Sequence, residues 1–234
     1  MQHLNIDIET YSSVDIKSAG AYKYAMSPDF DILLFAYSLD NAPVQVVDFA
    51  AGDKLPAEIL QALFSSNCLK HAYNAAFEWW CLAQYFKLGK DYILTPEEWL
   101  PQWRCTMLHG LYCGYTAGLA ATGEALGLPQ DRRKLSTGGA LIRTFCVPCK
   151  PNGGRTRTLP RHEPEKWKLF KDYCQQDVVT EMEIGRRLSP FPVPDSIQKQ
   201  WETDLKINAR GVSVDKDLVD GALWCTQTVT NQLR

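Results

Sequence analysis

The stretch LNIDIET, residues 4–10, decides the fold. Leu4, Ile6 and Ile8 alternate with Asn5, Asp7 and Glu9, and in an extended strand residues two apart share a face. The aliphatic side chains therefore enter a core, while Asp7 and Glu9 stand side by side on the opposite face, where two carboxylates repel. Taken alone, such a pair is no more than the polar outer face of a half-exposed strand. Other acids in matching settings would give it a different meaning.

Outward from this strand, DFDILLFAYSLD (29–40) and APVQVVDFA (42–50) are rich in β-branched and aromatic residues, and Asp40-Asn41 between them has the chemistry of a hairpin turn. The first three strands thus form an antiparallel meander. Before the second strand lies a polar stretch rich in Ser and Gly. Apolar residues at helical spacing predict a helix in LPAEILQALFSS (55–66), and CLKHAYN (68–74) reads as a short strand feeding the helix AAFEWWCLAQYFKL (75–88). WRCTM (103–107) is a further strand, followed by short helices in TMLHGLYCGY and LAATGEALGL, the second stopped by Gly127 and Pro129. The segment VPCKPNGGRTRTLPR (147–161) is an exposed, mobile loop by composition, and a long helix follows from Pro164 to Leu188. SPFPVP (189–194) breaks the chain, dividing a domain of residues 1–190 from a helix–turn–helix segment, 191–234, that turns at Gly211. Strands first, then helices mixed with them, predict an α/β domain with a mixed sheet.

With 234 residues, 45% hydrophobic and 22% charged, the chain has the composition of an ordinary globular protein able to bury a core. It carries neither a long apolar run nor a basic leader followed by an apolar one, so a cytoplasmic protein with no membrane partner is expected. The eight cysteines are scattered apart from Cys146 and Cys149, which lack a second Cys/His pair at short spacing. Reduced thiols are expected rather than structural zinc. Residues 132–171 hold eleven Lys or Arg against Glu163 and Glu165, a balance of +9, whereas the remainder balances at −11. A basic stretch inside an acidic chain suggests a polyanionic partner, although a solvated surface would look the same.

Two more local patterns bear on the acids. Glu78 sits among Phe77, Trp79, Trp80 and Leu82 on a helix too apolar to be freely solvated, and a shielded carboxylate needs a cation or hydrogen bonds to stay charged. Asn74, four residues earlier, shares its face and is equally a simple helix N-cap. On the long helix, Tyr173 and Asp177 are also four apart and lie one turn from each other. If Asp7, Glu9, Glu78 and Asp177 converge, divalent cations relieve their repulsion. Oxygen ligands without clustered histidines favour Mg²⁺ or Mn²⁺ over zinc. Two such ions roughly 3.5–4 Å apart are the arrangement of hydrolytic phosphoryl transfer.

D-x-E on the first strand, N-x-x-(F/Y)-acid at a strand–helix junction and Y-x-x-x-D on a late helix resemble the three motifs of DnaQ-like 3′–5′ exonucleases. NIDIETYSSVDI (5–16), FDILLFAYSLD (30–40), ALIRTFCVPCKP (140–151) and KLFKDYCQQDV (168–178) further resemble the proofreading domain of phage-type family A (Pol I-like) DNA polymerases. The likeness covers residues 3–188. It implies an RNase H-like mixed five-stranded sheet flanked by helices, a C-terminal helical segment, and two Mg²⁺ or Mn²⁺ ions. Asp7 would bind both ions, with Glu9 and Asp177 completing the site that carries the attacking water, which Tyr173 would orient. Glu78, where the wider family has Asp, would be an outer metal contact. Thr10, Asn74 and Phe77 would hold the terminal nucleotide. Beyond the break, WETDLKINARGVSVDKDLVDGAL (201–223) resembles the passage into a polymerase region, so a covalently linked polymerase domain is an expected partner.

The expected activity is metal-dependent hydrolysis at single-stranded DNA 3′ ends in the bacterial or phage-infected host cytoplasm. Lys150, Arg155 and Arg157 of the basic loop would draw in the strand. An RNase D-like exoribonuclease is a second enzymatic reading, because no residue can be tied to rejecting a 2′-hydroxyl. A catalytically inactive nucleic-acid-binding module would leave four carboxylates without a role.

Overall fold

A computed structural model of the chain describes residues 1–90, 94–116, 118–151 and 153–233. Strand β1 (Gln2–Tyr11) is the centre of a five-stranded sheet ordered β3-β2-β1-β4-β5, with β2 at Asp31–Leu39, β3 at Gln45–Asp48, β4 at Cys68–Ala72 and β5 at Trp103–Cys105. The first three strands pair antiparallel. In the five-residue connection from β2 to β3, Asp40 and Asn41 both adopt positive φ, 50° and 63°, which short polar side chains tolerate, and the Ala42 amide closes the turn on the Leu39 carbonyl at 2.9 Å. β4 and β5 join parallel to β1. This is the mixed, helix-flanked sheet expected for an RNase H-like fold.

Alternation along β1 is kept, and both faces are covered. Leu4, Ile6 and Ile8 join Trp79 and Leu82 of α3 (Ala75–Tyr85) and Ile59 and Leu63 of α2 (Ala57–Phe64) in the larger core. The opposite face packs under α8 (Pro164–Leu188), whose Trp167, Phe170, Tyr173, Cys174 and Val178 recur at helical spacing. Phe170 is fully buried there, a contribution of roughly 1.5–3 kcal/mol. Between Glu9 and Thr10 the β1–β2 register slips by one residue: Glu9 pairs with Leu34 and Thr10 with Ile32. Leu33 and Leu34 consequently enter the α8 side while Ile32 and Phe35 enter the other. Such bulges re-aim neighbouring side chains, and this one sits at the acid pair.

Three helices were not legible as such. The Ser/Gly-rich stretch folds as α1 (Ile16–Ala25), kinked at Gly20 (φ 78°) and set against α3 through the Tyr22–Trp80 ring pair, 4.7 Å between centroids. Pro96–Trp99 forms the single turn α4, and Gly138–Phe145 forms α7, which packs on α8 through Leu141 and Phe145. The expected short helices are α5 (Thr106–Tyr112) and α6 (Leu119–Ala125). After the 189–194 break, α9 (Asp195–Arg210) packs back on the larger core through Trp201, Leu205 and Ala209, and Gln198 donates to the Trp103 carbonyl at 3.1 Å. Gly211 (φ 72°) turns the chain into α10 (Lys216–Gln232), which buries none of its residues and exposes Leu218, Leu223 and Trp224. Among the described residues no helix is long and apolar enough to cross a membrane. All eight cysteines are free thiols.

Candidate active site

Four carboxylates from three elements share one electrostatic neighbourhood where β1 passes under α8. Asp7 and Glu9 project from the strand on the α8 side, Glu78 comes from the first turn of α3, and Asp177 comes from the middle of α8. Glu9, Glu78 and Asp177 are all buried. Burial raises the pKa of Asp7 and Glu9 well above the usual carboxylate range, and neighbouring charge adds to it, from Asp177 on Asp7 and from Asp7 on Glu9. Glu78 is raised too, by burial and then by Asp7, which places it in the same electrostatic cluster. Asp177 is raised by burial and partly relieved by Lys134. Like charges this close cannot all ionise unless a cation joins them.

The acids lack protein partners for part of their valence. Glu78 Oε2 and Asp177 Oδ1 are buried with no hydrogen bond among the described residues. Orphaned carboxylate oxygens in a buried acid cluster are costly, and a hard divalent cation satisfies them. The donor set therefore fits a divalent metal. The Cys174 thiol also faces this point, and ligand atoms of Asp7, Glu9 and Cys174 lie within 4.8 Å of one another.

Tyr173 sits beside the acids. Burial, followed by the Asp177 charge, pushes the ionisation of its hydroxyl upward. The ring is held on three sides. Phe170 stacks on it at 6.2 Å and 11°, Lys134 Nζ lies 4.6 Å from its centroid, and Gly138 leaves it room. A Cβ built on Gly138 would stand 2.0 Å from Tyr173 Cε2. No other side chain fits between α7 and the ring.

Next to Glu9 opens a cavity of about 400 Å³ lined by Thr10, Val14, Tyr24, Phe77, Ile142 and Cys146, among others. Thr10 and Phe77 both line it. The Thr10 hydroxyl is already engaged with Tyr24 Oη at 2.8 Å, leaving its backbone for any further contact on this side. Asn74 occupies the N-cap position of α3, but its exposed side chain makes no capping bond. The simple capping role is not realised.

The basic loop departs from expectation. Arg157 is half-buried: its Nη2 pairs with Asp31 at 3.0 Å and its guanidinium lies 4.0 Å over the Tyr11 ring. Arg155 is half-buried, and the amide of Cys149 donates to the Thr156 carbonyl at 2.8 Å. A composition read as mobile is thus tied down by partners distant in sequence. Lys150 is exposed as expected, and Asn152 of the same loop lies outside the described residues.

Sequence reasoning passed over Lys134, Cys146, Cys174 and Glu181. Lys134 forms an ion pair with Asp177. The Cys174 thiol donates to Asp7 Oδ2 at 3.5 Å and the Cys146 thiol to Glu9 Oε2 at 3.8 Å. Glu181, one turn beyond Asp177, is satisfied by Asn5 Nδ2 at 2.8 Å and by the Thr106 hydroxyl. Only Glu181 and Cys174 had a local signal, their i+4 and i−3 spacing from Asp177 on α8.

No family model matches the chain. It is 49% identical over 230 residues to a DNA polymerase of Bacillus phage SP02, a match covering 97% of this chain and 34% of that protein. The chain thus spans about a third of the length of the curated relative it matches. Among solved structures, it is similar to Brucella melitensis NrnC with bound Mg²⁺ (TM-score 0.40, 14% identity, covering 87% of this chain and 80% of that one). It is also similar to the structure of the yeast NOT1 MIF4G domain co-crystallized with CAF1 (TM-score 0.43, 11% identity, covering 82% of each chain). Likenesses at these scores carry no functional argument.

Proposed function

We propose that this chain is a metal-dependent 3′–5′ exonuclease acting on single-stranded DNA ends, the proofreading part of a DNA polymerase. The observation that carries the reading is the buried convergence of Asp7, Glu9, Glu78 and Asp177 with orphaned oxygens on Glu78 and Asp177. A buried acid cluster that only destabilises its own fold has no structural rationale. Similarity to a phage DNA polymerase over its matching third supports the linked polymerase domain and the DNA substrate.

Asp7, Glu9 and Asp177, with Glu78 behind them, would hold two Mg²⁺ or Mn²⁺ ions. Bound there, the ions would supply the attacking hydroxide and neutralise charge developing on the phosphate. The protein's own contribution is positioning. Tyr173, fixed by Gly138, Lys134 and Phe170, would offer its hydroxyl to orient the attacking water. The cavity beside Glu9 would take the terminal base against Phe77, where apolar walls exclude water. Asn74, uncommitted on α3, would reach the nucleotide's polar edge, and the exposed Lys150 would attract the strand behind it.

The deciding experiment compares shortening of end-labelled single-stranded DNA and RNA of one sequence with Mg²⁺ or Mn²⁺. DNA shortened from the 3′ end at least as fast as RNA supports the proposal. RNA degraded with DNA left intact turns the reading to an exoribonuclease, and neither degraded removes the enzymatic reading.

A further inference from the structure

Cys174 is fully buried on the face of α8 that covers β1, three residues before Asp177 and therefore on its side of the helix. Its Sγ stands 3.5 Å from Asp7 Oδ2 and 3.8 Å from the Asp7 carbonyl oxygen. Ligand atoms of Cys174, Asp7 and Glu9 all lie within 4.8 Å of one another. Donors around one tetrahedral ion at about 2.0–2.3 Å stand roughly 3.3–3.8 Å apart, so side-chain closing of up to about 1 Å lets all three meet one ion. A second observation points to the same place: Asp177 Oδ1 is buried without a partner.

From this geometry we infer that Cys174 is a third donor to the cation position of Asp7 and Glu9. The centre then takes a thiophilic divalent ion such as Co²⁺, Zn²⁺ or Cd²⁺ in competition with Mg²⁺ or Mn²⁺. This deepens, and rests on, the metal-centre reading above. Thiolate selects softer ions, whereas carboxylates alone favour hard ones. On binding, a sulfur–metal bond forms and the thiol proton leaves to solvent; nothing is oxidised or reduced. A site with one sulfur among its oxygens would bind trace zinc tightly, and such an ion competes for the position that Mg²⁺ needs.

The test is titration of the whole chain with Co²⁺ under reducing, Mg²⁺-free conditions, following the near-ultraviolet sulfur-to-cobalt charge-transfer band and, in parallel, binding heat. The expected result is a saturable band in the wild type that disappears in Cys174→Ser and Cys174→Ala. Cd²⁺ affinity should fall in both variants by at least roughly tenfold, the lower bound for losing even an outer partner of a metal site, with Mg²⁺ affinity unchanged. Using two replacements guards against one of them misfolding. Co²⁺ binding without the band, or a band that survives in Cys174→Ala, overturns the inference and leaves the carboxylate centre standing. No binding heat at all overturns the metal-centre reading beneath it.

Discussion

Lys134 pairs with Asp177 and at the same time lies over the ring of Tyr173, its Nζ 4.6 Å from the centroid. One cation thus braces the two α8 residues to which the water-orienting step is assigned. It also partly offsets the burial that raises Asp177. A desolvated cation–π contact is worth about 2 kcal/mol. Lys134→Met, which keeps the alkyl packing and removes the charge, should lower kcat by roughly 10- to 30-fold with little change in KM. A steady-state comparison that finds the wild-type kcat would reduce Lys134 to a surface ion pair.

Gly138 offers a sharper probe of Tyr173. Its Cβ would collide with the ring, whereas a Cβ at the adjacent Gly139 would meet only Arg143 Nη1 at 3.7 Å, an ordinary contact. Gly138→Ala should therefore cost at least as much activity as Tyr173→Phe, roughly 10²-fold for one positioned proton-transfer group. Gly139→Ala, on an exposed helix position, should leave activity intact and raise stability by up to about 1 kcal/mol. Equal rates for the two alanine variants would show that the ring position does not matter.

The acid cluster makes a pH prediction for the metal-free protein. The folded pKa values of Asp7 and Glu9 are raised by burial first, then by Asp177 on Asp7 and by Asp7 on Glu9, so the folded chain keeps protons that the unfolded chain releases. Stability is then greatest below the ordinary carboxylate range and falls as pH rises above it. Asp7→Asn should remove much of that fall and raise the Tm in chelator at neutral pH. In the wild type, Mg²⁺ should restore what the rise in pH removed, because it binds only the folded cluster. Thermal melts across pH with and without chelator check this, and a Tm that climbs with pH in chelator contradicts it.

The basic loop splits into two roles. Arg157, paired with Asp31 and stacked on Tyr11, should behave as a structural residue, so Arg157→Ala should lower the Tm. Lys150 is exposed, and Lys150→Ala should flatten the log–log salt dependence of single-strand binding by about 0.7 if one phosphate contact is lost. Binding isotherms at several salt concentrations separate the two. An unchanged slope for Lys150→Ala would leave that side chain as solvated surface.

Much of this arrangement could be read from the sequence because it is written in local periodicity. The alternation of residues 4–9 placed the acids on one face, and i+4 spacing placed Tyr173 beside Asp177 on a helix whose bounds, Pro164–Leu188, match the expectation. What escaped depends on contacts far apart in sequence. Arg157 meets Asp31 across 126 residues, and Lys134 meets Asp177 across 43, so a run of basic residues gave no hint that two of them are committed to partners. Cys174 and Cys146 look like scattered thiols until α7 and α8 bring them against the acids. Helices α1 and α7 were hidden by glycines: Gly20 breaks the first with positive φ, and Gly138 opens the second because the Tyr173 ring occupies the space of a Cβ.

The most direct test of the account is the rate at which the wild type and Asp7→Ala shorten a 5′-labelled single-stranded DNA in Mg²⁺, with a chelator control. The account predicts a ladder of products receding from the 3′ end in the wild type, and nearly none in chelator or in folded Asp7→Ala. Undiminished shortening in chelator or by Asp7→Ala would contradict it.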